Sequence, residues 1–183
     1  MNNYPIYLDY NATTPCDPAV VEAMLPFFST HFGNASSKSH AYGWWADEAV
    51  QNSREQVASL IGADSQEIIF TSGATESVNL AIRGYATANA DRGRHIITVA
   101  TEHKAVLEVC EYLGSQQFEV TILPVDANGM ITTADLEAAL RPDTLLVAVM
   151  YANNETGVIY PIQEMGTLLK SKGKSHPFRY WHT

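Results

Sequence analysis

Cysteine is scarce: Cys16 and Cys110 are the only two in 183 residues. Two cysteines cannot build a disulfide scaffold, and no CxxC spacing marks a metal or redox site. Positive charge is scarce too. Lys plus Arg number 11 against 20 Asp plus Glu, a formal net charge of −9. A surface of that sign repels nucleic-acid phosphates and anionic lipid, so neither is an expected partner, although a small anion can bind where the local backbone favours it. No apolar run approaches the roughly 20 residues that cross a bilayer. The start, "MNNYPIYLDY", has neither the basic residues nor the apolar run of a secretion signal. The expectation is a soluble, cytoplasmic protein. Low-complexity tracts and fixed-period repeats are missing, which argues against solenoids and disordered chains. Neither GxGxxG nor GxxxxGK[ST] occurs, which argues against a nucleotide-binding α/β module.

What is present is a globular composition with alternating elements. "YPIYLDY" has short strand character and "NATTPCDP" breaks it. Asp17 then Pro18 reads as an N-cap with proline at the first helical position. That helix is expected to about Phe28, with Val20, Val21, Met24 and Phe27 or Phe28 on one face. "HFGNASSKSHAYG" is loop by composition. A second helix is expected from about Trp44 to Leu60, its inner face Ala46, Ala49, Val50, Val57 and Leu60, with Gly62 just past its end. From there strands and helices alternate. The strands are "EIIFT", "HIITVA", "FEVTILPV" and "TLLVAVMYA"; the helices are "ATESVNLAIRGYATANA", "KAVLEVCEYLGSQ", "TTADLEAALRP" and "PIQEMGTLLKSKG". "DANGM" carries an Asn-Gly turn, and Thr132 with Asp135 resembles a capping box. All-apolar strands alternating with helices predict an α/β fold: an open, mostly parallel sheet with helices on both faces. Ligands of such sheets bind outside the carboxyl ends of the strands.

Polar residues gather at those ends. In "TSGATES", Thr71–Ser77, Gly73 can cap a helix that has Glu76 at N3. The free N–H groups of the first turn, with hydroxyls from Ser72 and Thr75, would make an anion cradle suited to a phosphate. A well-capped helix with no ligand is the competing reading. In "TEHKA", His103 can stack on a flat ring or move a proton, or simply be a hydrogen-bonded structural residue. In "ANNETG", the amides can donate to a phenolate oxygen or hold a loop by Asx turns. A planar, phosphorylated, phenolic cofactor would use all three, and pyridoxal 5′-phosphate (PLP) fits that description.

The stretches "YLDYNATTP", "FGNASSKSH", "FTSGATESVNLAI", "TEHKAVLE" and "NNETG" occur in this order across roughly residues 4 to 172. Through them the chain resembles the cysteine desulfurases of the NifS/IscS type, in the class V aminotransferase group of fold-type I PLP enzymes. The resemblance implies an incomplete large domain of that fold: an N-terminal segment over 1–15, the first half of the PLP-binding domain over 16–173, and a divergent tail over 174–183. It also implies roles. Ala74 and Thr75 would bind the cofactor phosphate, His103 would stack on the pyridine ring and assist proton transfer, and Asn154 would contact the phenolic oxygen. In the family, L-cysteine becomes alanine and an enzyme cysteine takes the sulfur as a persulfide, which supplies iron–sulfur scaffolds or other acceptor proteins. Family members are expected to be homodimers.

Departures from the family pattern set further expectations. None of Lys38, Lys104, Lys170, Lys172 and Lys174 occupies the position of the lysine that holds PLP, and neither Cys16 nor Cys110 matches the persulfide cysteine. The chain alone is therefore expected to be a truncated, inactive N-terminal part, with weak PLP binding at most and one open sheet edge. Ala35 stands where the family usually has proline. Two further readings compete. One is a selenocysteine lyase or other class V aminotransferase-like enzyme. The other is a non-catalytic interaction fragment that pairs with a C-terminal half.

Overall fold

The computed structural model describes residues 5–173; the tail expected over 174–183 and Lys174 lie outside them. The described residues fall into two compact units divided between Phe70 and Thr71.

In the first unit, α1 (Pro18–Ser29) begins as the sequence implies: Asp17 accepts the Ala19 N–H at 2.8 Å, with Pro18 at N1. α2 (Ala41–Ile61) starts earlier than expected, because His40 Nδ1 accepts the Gly43 N–H and acts as the cap. α2 ends at Gly62, whose φ of 67° only glycine adopts freely. Three expectations fail here. The stretch "YPIYLDY" forms no strand over its described part, and Ile6 and Leu8 are exposed. "EIIFT" also forms no strand. A short 3-10 turn, Ser65–Glu67, precedes it, and the Ile68 carbonyl accepts from the Arg54 guanidinium rather than from a neighbouring strand. Finally, the apolar face of α1 is not buried: Val20, Val21, Met24, Phe27 and Phe28 are all exposed, as are Val57 and Leu60 on α2. Only Ala46 of the expected α2 face is buried. Apolar spacing shows which side of a helix needs cover; it does not supply the cover.

The second unit opens with α3 (Ala74–Val78), continues through a π-helical segment (Asn79–Gly84) and closes with α4 (Tyr85–Ala88). The sequence reading gave one uninterrupted helix here. β1 (His95–Val99), α5 (Lys104–Ser115), β2 (Glu119–Leu123), α6 (Thr133–Ala139), β3 (Thr144–Val147) and α7 (Ile162–Ser171) follow. Thr132 and Asp135 form the expected capping box on α6. Pro161 lies one residue before the first turn of α7 rather than inside it.

The sheet order is β2-β1-β3, with both pairings parallel. His95 lies opposite Glu119 on one side and Thr144 on the other. Its buried ring bonds the Thr121 and Thr144 hydroxyls, each at 2.8 Å, and so ties the three strands at one end. Successive β1 side chains point to opposite faces. Ile96 packs with Val78, Ile82, Ala86, Val109 and Leu113. Ile97 and Val99 pack with Leu136, Ile162, Met165 and Leu169. Helices therefore cover both sheet faces, as the apolar strands predict, and each fully buried Ile or Leu contributes roughly 1.5–3 kcal/mol.

Candidate functional site

Parallel strands put their carboxyl ends on one edge, so the segments after β1, β2 and β3 lie together. Hydrogen bonds, most of them half-buried, join them. The Asn153 amide donates to the Thr101 carbonyl at 3.0 Å. The Asn153 carbonyl oxygen accepts from the Glu155 and Thr156 N–H groups and from the Thr156 hydroxyl. The Tyr160 hydroxyl donates to the Gly129 carbonyl at 2.7 Å and bonds the Thr101 hydroxyl at 2.5 Å. Glu102 accepts the Met150 N–H with one oxygen and the His103 N–H with the other.

On this frame the residues singled out from sequence fall into two classes. Asn153 is buried and committed to the frame through both its amide nitrogen and its carbonyl oxygen. Asn154 is half-buried, and its amide makes no hydrogen bond among the described residues. Of the two amides it is the one available to a ligand. His103 is exposed at the start of α5. Its Nδ1 accepts the Ala105 N–H at 3.2 Å, which leaves the proton of a neutral ring on Nε2.

The cradle residues lie at the start of α3, which packs along α5. Gly73 has φ 156° and ψ −176°, a conformation essentially confined to glycine. The first intrahelical bond runs from Ser77 N–H to the Gly73 carbonyl at 3.1 Å, so the N–H groups of Ala74, Thr75 and Glu76 have no partner inside the helix. The Thr71 and Ser77 hydroxyls meet at 2.6 Å and brace the same carbonyl. One expectation needs correcting. The Ser72 hydroxyl is not left for a bound anion; with its own N–H it donates to the Glu76 carboxylate, each at 2.6 Å. These bonds hold the Glu76 carboxyl below the usual carboxylate range. Of the two expected hydroxyl donors, Thr75 remains.

The sequence reading missed Glu102. It is 8% exposed, and desolvation pushes its pKa from 4.5 up to about 7 against the two backbone bonds. The available signal was a carboxylate set directly between an all-apolar strand and a candidate ring-facing histidine. Cys110 behaves as the sequence suggested. Burial, then the nearby Glu102 carboxylate, pushes its thiol up to about 12, so it is no nucleophile. The described lysines of the second unit are all exposed. Lys104 pairs with Glu108 on the outside of α5, Lys172 pairs with Glu137, and Lys170 sits in the last turn of α7. Lys38, in the first unit, pairs with Asp47. Among the described residues no helix is long and apolar enough to cross a membrane.

The donor set fits PLP in part. Free N–H groups suit its phosphate, an exposed imidazole suits its ring, and a free amide suits its phenolic oxygen.

Comparison with known proteins points the same way. The aminotransferase class-V family profile matches residues 6–175. The chain is 57% identical over 169 residues to the cysteine desulfurase IscS of Anaeromyxobacter sp. (strain K), covering 92% of this chain and 42% of that protein. A solved NifS-like protein superposes with a TM-score of 0.90 at 39% identity, over 94% of this chain and 47% of the other. SspA, solved in complex with cysteine, gives 0.85 at 40% identity, over 91% and 48%. The chain thus spans less than half the length of the relatives it matches.

Proposed function

We propose, from the premise that this chain belongs to the aminotransferase class-V family as a cysteine desulfurase of the NifS/IscS type, that it forms the cofactor-gripping part of a PLP enzyme acting on L-cysteine. Ala74 and Thr75 take the phosphate through their free N–H groups, with the Thr75 hydroxyl as a further donor. His103 lies against the pyridine ring and moves a proton at Nε2. Asn154 donates its amide to the phenolic oxygen. When bound, the cofactor supplies an electron sink for the substrate carbon that loses its proton. The products are alanine and a persulfide on an enzyme cysteine. An iron–sulfur scaffold or another sulfur acceptor receives the sulfur, and the working enzyme is a cytoplasmic homodimer.

One observation carries this reading. The buried amide of Asn153 ties the loop bearing His103 to the loop bearing Asn154, and leaves both neighbours free to meet a ligand. The lysine that would hold the cofactor covalently is not at any described lysine. The chain alone therefore binds PLP weakly and reversibly and does not turn over.

Titration of the purified chain with PLP, followed by absorbance, tests this. Binding that inorganic phosphate competes away, and that His103→Ala with Asn154→Ala weakens, supports it. So does the absence of sulfide and alanine from L-cysteine. A tight, borohydride-trapped adduct or sustained turnover would overturn the inactive half of the proposal. PLP affinity indifferent to both substitutions would overturn the site.

A second reading has its own observation. β3 is an end strand of the described sheet although its side chains are buried. A non-catalytic fragment that pairs with a separate C-terminal half would use that open edge, and co-expression with such a half followed by visible absorbance distinguishes it.

A further inference from the structure

We infer that Glu102 is a positioning residue: its carboxyl clamps the His103 and Met150 N–H groups and so fixes the His103 ring relative to the loop that carries Asn154. The inference rests on the proposal that these two side chains meet the cofactor.

The β1–β3 ladder ends where the Ala148 N–H reaches the Ile97 carbonyl at 2.8 Å. Beyond that point side chains take over from the ladder. Glu102 spans from the β1 end to Met150, and Asn153 spans back to Thr101. Both are 8% exposed. Each is followed directly by a candidate ligand-facing side chain: His103, whose Nε2 makes no hydrogen bond among the described residues, after Glu102, and Asn154 after Asn153. A buried polar anchor one residue before a free functional group fixes the backbone from which that group projects.

The choice of an acid is informative. An aliphatic side chain would fill the space without the cost of burying a carboxyl. It could not accept two N–H groups that approach from different segments. One of these belongs to His103, so Glu102 holds the main chain of His103 while the first turn of α5 holds its ring through Ala105. A histidine pinned on both sides pays little ordering entropy when a flat ring docks on it.

Amide hydrogen exchange of the full chain, above pH 7, tests the assignment. In the unmodified protein the His103 and Met150 N–H groups should be protected like β1 amides; exchange at open-loop rates for either would overturn it. Glu102→Gln keeps the shape but presents one acceptor and one donor, so one of the two amides should exchange at least 10-fold faster. Ala105 should follow, and the nitrogen shifts of the His103 ring should lose the signature of a Nδ1 acceptor, while β1 and α7 amides stay unchanged. Glu102→Asp, which keeps the charge but withdraws it by one methylene, should give the same pattern and serves if the glutamine variant does not fold. A folded variant with an unchanged His103 ring would overturn the inference. PLP titration adds a second readout: Glu102→Gln should weaken PLP at least 5-fold and leave inorganic phosphate unchanged. If His103→Ala itself leaves PLP affinity unchanged, the cofactor reading fails, whereas an effect of His103→Ala without one of Glu102→Gln defeats only the positioning role.

Discussion

Replacing Glu102 by glutamine should remove a specific slope from the stability of the second unit. Glu102 is buried against the end of β1, and its carboxyl titrates at about 7 in the fold against 4.5 in the open chain. Between these values the native protein keeps a proton that the unfolded chain has already released. Stability therefore falls as pH rises through that window and levels off above it. From 4.5 to about 7, at 1.36 kcal/mol per pH unit, the loss comes to about 3 kcal/mol at most. With a urea dependence of about 3 kcal/mol per molar, the unfolding midpoint should drop by about 1 M. The carboxyls of Asp47, Glu76, Glu119, Asp126 and Asp135 are held low by their partners, so they lose stabilisation only as pH falls below their open-chain values, outside this window. The comparison with Glu102→Gln cancels the groups common to both proteins. Urea titrations at several pH values, read from β1 amide resonances, measure the difference directly. A wild-type minus variant stability that stays flat between pH 4.5 and 7 would show that burial does not dominate at Glu102, and the reasoning would fail.

Three further outcomes follow from the geometry. Gly73→Ala places no atom within 4 Å of another group, yet φ 156° with ψ −176° suits only glycine, so thermal or urea unfolding should show a loss of about 1–3 kcal/mol. PLP affinity should fall with it. Asn153→Ala removes four half-buried hydrogen bonds and should cost about 2–4 kcal/mol, whereas Asn154→Ala should change stability by less than about 0.5 kcal/mol and weaken PLP instead; equal stability costs by urea titration would refute the division of labour. Size-exclusion chromatography should show concentration-dependent association through the open β3 edge, and a clean monomer at all concentrations would count against that.

The features legible in sequence are those whose partners are local. Asp17 with Pro18, Gly62, and Thr132 with Asp135 each close a hydrogen bond or a turn within a few residues, so residue type alone reveals them. The parallel sheet was legible for a related reason: strands as apolar as "TLLVAVMYA" fit only where both faces are covered. What failed depends on distant cover or pairing. Ile68 to Phe70 have strand-forming side chains but no strand partner, and the apolar face of α1 needs a layer that residue spacing cannot supply. The site was legible as a set of polar loops after apolar strands. Its internal order was not, because nothing in "TEH" or "NNET" tells which side chain turns inward. Glu102 and Asn153 turn inward, and the free pair are their neighbours.

The π-helical segment has a consequence for the aim of the proposed phosphate cradle. Val78, Ile82 and Ala86 are buried at four-residue intervals. In a regular α-helix such a stripe would drift by about 80° over eight residues. The wider turn of Asn79–Gly84 takes up part of that drift and keeps the three on one line against α5 and the sheet. Its phase is therefore a setting for the other end: adding one further residue to this segment would swing Gly73 and the N–H groups beyond it by about 100° about the axis while the buried side still packed. An insertion there, more than a full turn from Gly73, would redirect the proposed grip without altering its residues.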